Sequence, residues 1–512
     1  MQESIFDVLY PKYKITKPIR LIEFFAGYGS QALALKYLGV PFEHWKICEW
    51  AVKSIQAYKD IHFPNDNIDF SSFVSKEQII DELYYWGISS NYNEPMTLKQ
   101  IQRLPEKQLR KIHSNICNTH NLVNIQQVKG EDLEIVDTDK YDYIMTYSFP
   151  CQDLSLAGKG KGMSDTSTRS GMLWEVERIL GECKELGKLP QILLMENVPQ
   201  VHGADNVKDF NKWQLRLEEL GYKNYFQDLI ATDYGIPQTR NRCFMVSILG
   251  DYSYTFPKPI PLKLKLKDML EDNVDEKYYL SDKQIKDIQS WNAYEKPLEN
   301  MEKTDKANIS PTLTTRSGAY AASMILIKNA TKKGYLEATD GDGIDLAQPN
   351  SETRRGRVQK EAIQTLTTQN NLGVCVGTYQ YAKSDNFMQG KDRLQLGKEV
   401  SDTLQTTQKE GVVIIGNYSP SNHNASRIVD QNYCSPTVME NHGTITATQT
   451  SDLRIRKLTP RECFRLMGVK DEDYEKCAKN QSDASLYHLA GDSIVVNVLM
   501  AIFNELLKKE GE

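Results

Sequence analysis

Arg20-Leu21-Ile22-Glu23-Phe24-Phe25-Ala26-Gly27-Tyr28-Gly29-Ser30 reads as a strand running into a glycine turn. The run from Leu21 to Phe25 is apolar except for Glu23, which suits a strand covered on both faces. It stops at Gly27-Tyr28-Gly29-Ser30, and Gln31 to Leu38 then reads as a helix. A second strand, Trp45-Lys46-Ile47-Cys48, ends at Glu49. Strand, glycine turn, helix and strand open a doubly wound, mostly parallel α/β sheet. Residues 66–128 interrupt the alternation with the helical patterns Lys76–Trp86 and Leu98–Cys117 and no strong strand, and are expected to form a helical insertion. Further strands are expected at Tyr141–Tyr147, Gln191–Met195 and Cys243–Ile248.

Beyond the sheet the composition changes. Phe256-Pro257-Lys258-Pro259-Ile260-Pro261 reads as a linker. Residues 304–453 are rich in threonine, glutamine and asparagine, with short β-branched runs. Pro311–Thr315, Gln364–Thr368, Asp402–Thr407 and Pro436–Val438 look like one unit used four times, at spacings of 53, 38 and 34 residues. Arg357, Arg393 and Arg427 stand eight or ten residues before the first threonine of three copies. Irregular repeats of this kind predict a second, β-rich domain; threonine bias in ordinary β loops is the plainer alternative. After Arg454 the chain turns helical again. Thr459 is placed to cap a helix with Pro460 in its first position and Glu462 three residues on, and Asn497–Leu507 reads as a last amphipathic helix. The expected division is an α/β domain at 1–252, a β-rich domain at 253–453 and a segment at 454–512 that returns to the first.

At 512 residues, the chain has length for about three domains. Its apolar share of 40% and charged share of 25% are those of an ordinary folded protein. Purely apolar runs such as Val498–Phe503 are too short to span a membrane. The start, MQESIFDVLYPKYK, lacks the pattern of a signal peptide. Nine cysteines form no CxxC pair, so neither a metal site nor a disulfide framework is expected, and a reducing, cytoplasmic compartment fits. A formal charge of −6 excludes a uniformly basic binder but not a local basic groove.

Four places carry chemistry. The turn with Gly27 and Gly29 lacks a third glycine, having Ala32 there, and Glu49 follows Gly29 by 20 residues at a strand end. A carboxylate in that place meets ribose hydroxyls in nucleotide-binding sheets, and Trp50 can stack on an adenine. The residues alone do not separate a dinucleotide from S-adenosylmethionine (AdoMet), and an exposed acid at a strand end is the plainer reading. Ser148-Phe149-Pro150-Cys151-Gln152 lies just past another strand end, before the glycine- and lysine-rich loop 157–162. Deprotonated, Cys151 is a nucleophile; the alternative is a small buried cysteine. Glu196, in Met195-Glu196-Asn197-Val198-Pro199, emerges at the same edge and can hold or pass a proton, unless it is a helix-terminal charge. In Gln238-Thr239-Arg240-Asn241-Arg242 an extended chain puts Arg240 and Arg242 on one face, so both can enter one site; two solvated arginines are the alternative.

Together these residues resemble the DNA cytosine-5 methyltransferase family, over the blocks within 21–252 and 454–507 and in the family's order. Glu23–Gly29 resembles its AdoMet loop, Pro150-Cys151-Gln152 its nucleophile motif, Glu196-Asn197-Val198 its acid motif and Gln238–Arg242 its QxRxR motif. Arg456–Glu462 resembles the motif that supports the target-recognition domain, and Gly491–Val496 the final block. Glu23 stands where aspartate is commoner, and Asp492 where the family usually has asparagine.

The resemblance implies the AdoMet-dependent methyltransferase fold, AdoMet as cofactor and no metal. It implies that Phe25, Gly27, Gly29, Glu49, Trp50, Asp132, Leu173, Asp492 and Ser493 form the cofactor pocket, with Phe25 on the adenine and Asp132 on its amine. Cys151 would add to C6 of a flipped-out cytosine, making C5 able to attack the AdoMet methyl. Glu196 would hold the ring at N3, with Arg242 and Arg240 at the ring carbonyl or the thiolate. Gln152 and Arg169, at the two ends of the loop 152–169, would meet the DNA. Double-stranded DNA is the expected partner and a monomer the expected state, with no membrane. A bacterial or phage origin is implied, and the role is that of a restriction enzyme's partner, a phage's self-protection or a solitary regulator. Residues 253–453 would choose the sequence; 354–409 carries nine Lys and Arg against five Asp and Glu. Arg357, Arg393 and Arg427 are the candidate base or phosphate contacts, with carbonyl bonding inside each repeat as the alternative. An RNA (tRNA) cytosine-5 methyltransferase, an idle DNA-binding adaptor and an NAD-dependent oxidoreductase are the competing functions. The first fits the large 253–453 segment poorly, the second the intact Cys151, Glu196 and arginine set, and the third most of the motifs.

Overall fold

The computed structural model describes residues 10–66, 68–150, 170–279, 325–339, 341–348, 351, 353–368, 371–380, 414–417, 427–429, 447–448 and 450–507. Cys151, Gln152, Arg169 and Arg393 lie outside the described residues, as do the repeat copies at 311–315, 402–407 and 436–438. The chain forms two compact units, one of Met1–Asp272, Ala362–Asn370 and Leu458–Glu512, the other of Asn273–Glu361 and Asn371–Lys457.

The first unit is built on a six-stranded sheet of β1 (Ile19–Phe24), β2 (Phe42–Cys48), β3 (Asp142–Tyr147), β4 (Ile192–Asn197), β5 (Tyr222–Ile230) and β6 (Asn241–Leu249). The order is β2-β1-β3-β4-β6-β5. β2, β1, β3 and β4 run parallel, and β6 is antiparallel to both its neighbours. The doubly wound, mostly parallel sheet expected from the sequence is therefore present. All of β1, β3 and β4 is buried, as central strands covered on both faces must be. On one face Ile22, Phe24, Tyr143, Met145, Leu193 and Met195 pack with Val176, Ile179 and Leu180 of helix Leu173–Glu185 and with Phe210, Trp213 and Leu217 of helix Val207–Leu220. Because β1 to β4 are parallel, their carboxyl ends share one edge. β6, reversed, starts at that edge and so delivers Arg242 to it.

The insertion is helical, but the pattern read as one helix over 98–117 is two, Leu98–Gln102 and Glu106–Asn118. Pro105 lacks the N–H a continuous helix would use and disfavours helical backbone before it, so the chain breaks there and restarts. Ser75 with Gln78 and Thr97 with Gln100 form capping boxes at two of the starts. Ile79, Leu83, Ile88, Ile101, Leu109, Ile112 and Ile116 make a separate small core with Ile55.

The returning segment begins as its sequence predicts. Thr459 Oγ1 accepts from the Glu462 amide, Glu462 accepts from the Thr459 amide, and Pro460 opens the helix Pro460–Leu466. The stretch Asp483–Leu506 is 24 residues long and apolar enough to cross a membrane by composition, but 72% of its most apolar window is buried inside the protein. Its helix Val496–Leu506 packs against helix Ser30–Tyr37, so that apolar surface is spent on the core.

The second unit holds small β-sheets, as its composition predicts. Ile325–Lys328 pairs with Tyr335–Ala338. Val358–Gln359, Gly343–Asp345, Leu372–Gln380 and Thr450–Lys457 form an antiparallel sheet in that order. Gly373 is required there, because a Cβ would stand 2.8 Å from the Arg456 carbonyl oxygen. Ile414–Asn417, Arg427–Val429 and Ala447–Thr448 form a third sheet.

The first unit runs on to Asp272 and resumes at Leu458, against the expected 252 and 453. Residues 253–272 stay with the first unit: Ser253 donates its amide to Pro11, the Tyr254 hydroxyl bonds the Ile502 carbonyl, and Leu266 and Met269 are buried. The repeat copy Gln364–Thr368, expected in the recognition region, also belongs to the first unit.

Candidate active site

The glycine turn owes its shape to the rings beneath it. Phe25, Gly27 and Gly29 take positive φ of 56°, 57° and 83°. A side chain at Gly29 would overlap the His62 imidazole and the Tyr58 ring, and left-handed backbone favours glycine in any case. Glu23, wholly buried, accepts from the Tyr58 hydroxyl at 2.5 Å and from the Ala32 amide at 3.3 Å, so it caps the helix that starts at Ser30. Burial raises its pKa to about 7, against the opposing Tyr58 and Ala32 hydrogen bonds. His62 and His44 lie against this group, and burial keeps both below the ordinary histidine range.

Glu49 closes the turn from the second strand. Its carboxylate accepts from the Gly27 amide at 2.9 Å and from the Ala51 amide at 2.8 Å. Each oxygen keeps capacity for a second donor. Burial raises the pKa to about 7; the Ala51 and Gly27 amides oppose this and Asp492 adds to it. Ser493 sits over the turn, its Oγ 3.9 Å from where a Gly27 Cβ would be. Asp492 is half exposed, with His488 Nδ1 at 3.0 Å. Phe25 packs partly buried on the main core, and Trp50 on the core of the insertion. Leu173 is fully buried in the main core. Asp132 caps Lys129 at 2.8 Å and lines a cavity of about 640 Å³ with Trp45, Trp86, Cys117 and His120, whose wall does not include Phe25, Glu49 or Trp50.

The ends of β3 and β4 are tied together: Asn197 Nδ2 donates to the Phe149 carbonyl at 3.0 Å. Cys151 follows Phe149 by two residues. Glu196, beside Asn197, is buried and faces Arg242 Nε at 3.1 Å. Burial pushes the Glu196 carboxyl up, and the Arg242 and then Arg240 charges pull it back. A buried acid with a cation at contact distance can be ionised or protonated at small cost, as proton transfer near a ring requires.

The two arginines of the extended segment diverge. Arg242 meets the acid. Arg240 is 4% exposed and donates to the carbonyls of Leu366, Gly491 and Ser493 at 3.1, 3.1 and 2.7 Å. It therefore holds three chain segments together, with its guanidinium committed to carbonyls, while its charge still acts on Glu196. β6 begins only at Asn241, so the alternation of a strand does not extend back to Arg240. Gln238 has the same kind of task. It donates to the Leu466 carbonyl and accepts from the Leu366 amide, while Thr239 and Pro237 pair with Ile363. Gly491 lies so close to the Thr367 backbone that a side chain would overlap it. These contacts put the repeat copy Gln364–Thr368 in the first unit.

Arg357 is likewise turned onto carbonyls. It is 1% exposed, and its guanidinium donates to the carbonyls of Asp345, Ala347 and Gln348. These bonds favour the carbonyl-bonding alternative over a DNA contact. Arg427 opens the strand Arg427–Val429. Among the described residues, His202, Asp228 and Cys243 place donor atoms within 4.8 Å of one another, and His202 and Asp228 are already paired at 2.9 Å.

Residues 102–508 match the family model described as C-5 cytosine-specific DNA methylase. The chain is 28% identical over 502 residues to the type II methyltransferase M2.ScrFI of Lactococcus lactis subsp. cremoris, covering 96% of this chain and 100% of that one. It is 31% identical over 408 residues to the orphan methyltransferase M.SssI of Spiroplasma monobiae, covering 78% and 94%. Among solved structures, an Entamoeba histolytica methyltransferase, EhMeth, aligns over 96% of this chain and 98% of that one at a TM-score of 0.48 and 12% identity.

Proposed function

The chain belongs to the C-5 cytosine-specific DNA methylase family and is a DNA (cytosine-5-)-methyltransferase, and from this we propose that it methylates a specific duplex sequence through a covalent Cys151 adduct. The observation that carries this reading is the pairing of buried Glu196 with Arg242 at 3.1 Å, beside the Asn197 bond to Phe149 that ties the nucleophile segment to the acid's strand.

The family uses AdoMet, and the residues around Glu49 suit it. The carboxylate held by the Gly27 and Ala51 amides has free lone pairs for ribose hydroxyls. Phe25 lies in the turn, Trp50 follows Glu49 in the chain, and Ser493 Oγ sits over Gly27 with Asp492 before it. When bound, the cofactor supplies the methyl group.

Cytosine C5 is a weak nucleophile until a group adds at C6. The Cys151 thiolate adds there and C5 gains enamine character. Glu196 holds the ring at N3 and offsets the charge that develops, while Arg242 orients Glu196 and contacts the ring carbonyl. Loss of the C5 proton and expulsion of the thiolate restore the ring. C6 is hidden in a duplex, so the base is flipped out, and Gln152 and Arg169 are assigned to the DNA around it. Residues 273–361 and 371–457 are assigned the choice of sequence. A monomer acting without a metal is proposed, and the bacterial sources of its relatives favour the cytoplasm of a bacterium. Methyl transfer from labelled AdoMet to duplex DNA and to tRNA tests this. Transfer to DNA alone, lost in Cys151→Ser, is expected; transfer to tRNA alone would reject it.

A further inference from the structure

We propose that the helical insertion 66–128 is part of the cofactor site, acting through Asn121 and Tyr92 as positioning residues. The inference rests on the reading that Glu49 takes the AdoMet ribose.

β2 is an edge strand, so nothing in the sheet supports its outer side. Glu49 comes one residue after it ends. A carboxylate there can hold a ribose only if its backbone is fixed. The end of the insertion does this. Ile47 pairs with the 120–122 segment, its carbonyl accepting from the Leu122 amide at 2.8 Å. The Asn121 side chain then brackets Glu49: Oδ1 accepts from the Glu49 amide at 3.0 Å, and Nδ2 donates to the Glu49 carbonyl at 2.8 Å. Oδ1 also accepts from the Val123 amide at 2.9 Å. Only an amide side chain donates and accepts in this way. The next residues are held by the loop between the helices Lys76–Trp86 and Leu98–Gln102. Ser89 donates its amide to the Trp50 carbonyl at 2.8 Å and accepts from the Val52 amide at 2.9 Å.

Tyr92 continues the same loop with a φ of 63°, a conformation that tyrosine rarely takes. Its ring stacks on His488 at 3.9 Å and 15°. His488 is in turn the partner of Asp492. Burial raises the Tyr92 phenol; the Ser54 hydroxyl opposes this, and the Glu49 and Asp492 charges add to it. Where the family's asparagine is replaced by Asp492, this chain thus supplies His488 and Tyr92 to fix the carboxylate.

The test is calorimetric titration of the full chain with AdoMet, together with steady-state methyl transfer. Asn121→Ala should weaken AdoMet about tenfold, raising KM more than it lowers kcat. Tyr92→Ala should weaken it by a smaller factor. Asn121→Asp keeps the acceptor and loses the donor; it should give an intermediate loss and stands in if the alanine variant does not fold. Because Asn121 acts through Glu49, the double variant Asn121→Ala/Glu49→Ala should bind no more weakly than Glu49→Ala. Additive losses, or unchanged affinity in both Asn121 variants, would overturn the proposal. Unchanged affinity in Glu49→Ala would instead remove the ribose reading beneath it.

Discussion

Arg240 and Arg242 stand two residues apart, yet removing them should fail in opposite ways. Arg240→Met deletes three charge-assisted hydrogen bonds to the carbonyls of Leu366, Gly491 and Ser493. At roughly 1.5–3 kcal/mol each, the gross loss exceeds 4 kcal/mol. Deleting the buried guanidinium returns part of that, because its desolvation no longer opposes folding. The net loss is then about 3–5 kcal/mol in the first unit. Arg242→Met removes the contact to Glu196 and the bond to the Asn241 carbonyl and leaves Glu196 buried without its nearest cation; protonation of Glu196, which burial already favours, limits the cost to about 1–2 kcal/mol in stability. The variant's loss should fall on methyl transfer, at least a hundredfold. Urea unfolding followed by the fluorescence of Trp213, buried in the first unit, measures the former, and transfer of labelled methyl to DNA the latter. Equal stability of the two variants, or full activity in Arg242→Met, would refute the division of roles.

Other perturbations follow from the same geometry. AdoMet affinity should rise as pH passes upward through about 7, where buried Glu49 ionises, since ribose hydroxyls donate to the carboxylate; Glu49→Gln should abolish the slope in calorimetry. Glu23, with a folded pKa raised to about 7, contributes stability that is complete below the unfolded value near 4.5 and is lost as pH rises through 7. Glu23→Gln should flatten that part of the stability profile. Gly29→Ala forces a side chain into His62 and Tyr58 at a positive φ and should cost more than about 2 kcal/mol in denaturant unfolding. Thr459→Ala loses its cap and the bond to Glu271 and should lower stability by about 1–2 kcal/mol.

The features legible in the sequence are those set by local rules. The glycine turn at 27–29 is one, because its backbone needs glycine. The Thr459 cap and the four parallel strands are others, since their patterns lie within a few residues. β5 (Tyr222–Ile230) was not legible: it is an edge strand with three exposed residues in succession, and its alternation is weak. The two arginines of the QxRxR segment look alike in sequence. Their difference comes from Leu366 and Gly491, distant in the chain, and from the start of β6 at Asn241. The recurring offset of Arg357 is legible, but which of its two readings holds is not, since its bonds to carbonyls come from the folded hairpin. Asn121, Tyr92 and His488 carry no local signature. Each matters through a partner dozens to hundreds of residues away.

Bisulfite sequencing of host DNA bears most directly on the enzyme's action. In cells expressing the chain, cytosines within one recurring duplex sequence should resist conversion, and in cells expressing Cys151→Ser they should not. Complete conversion in both, or protection that persists in Cys151→Ser, would contradict cytosine-5 methylation through Cys151.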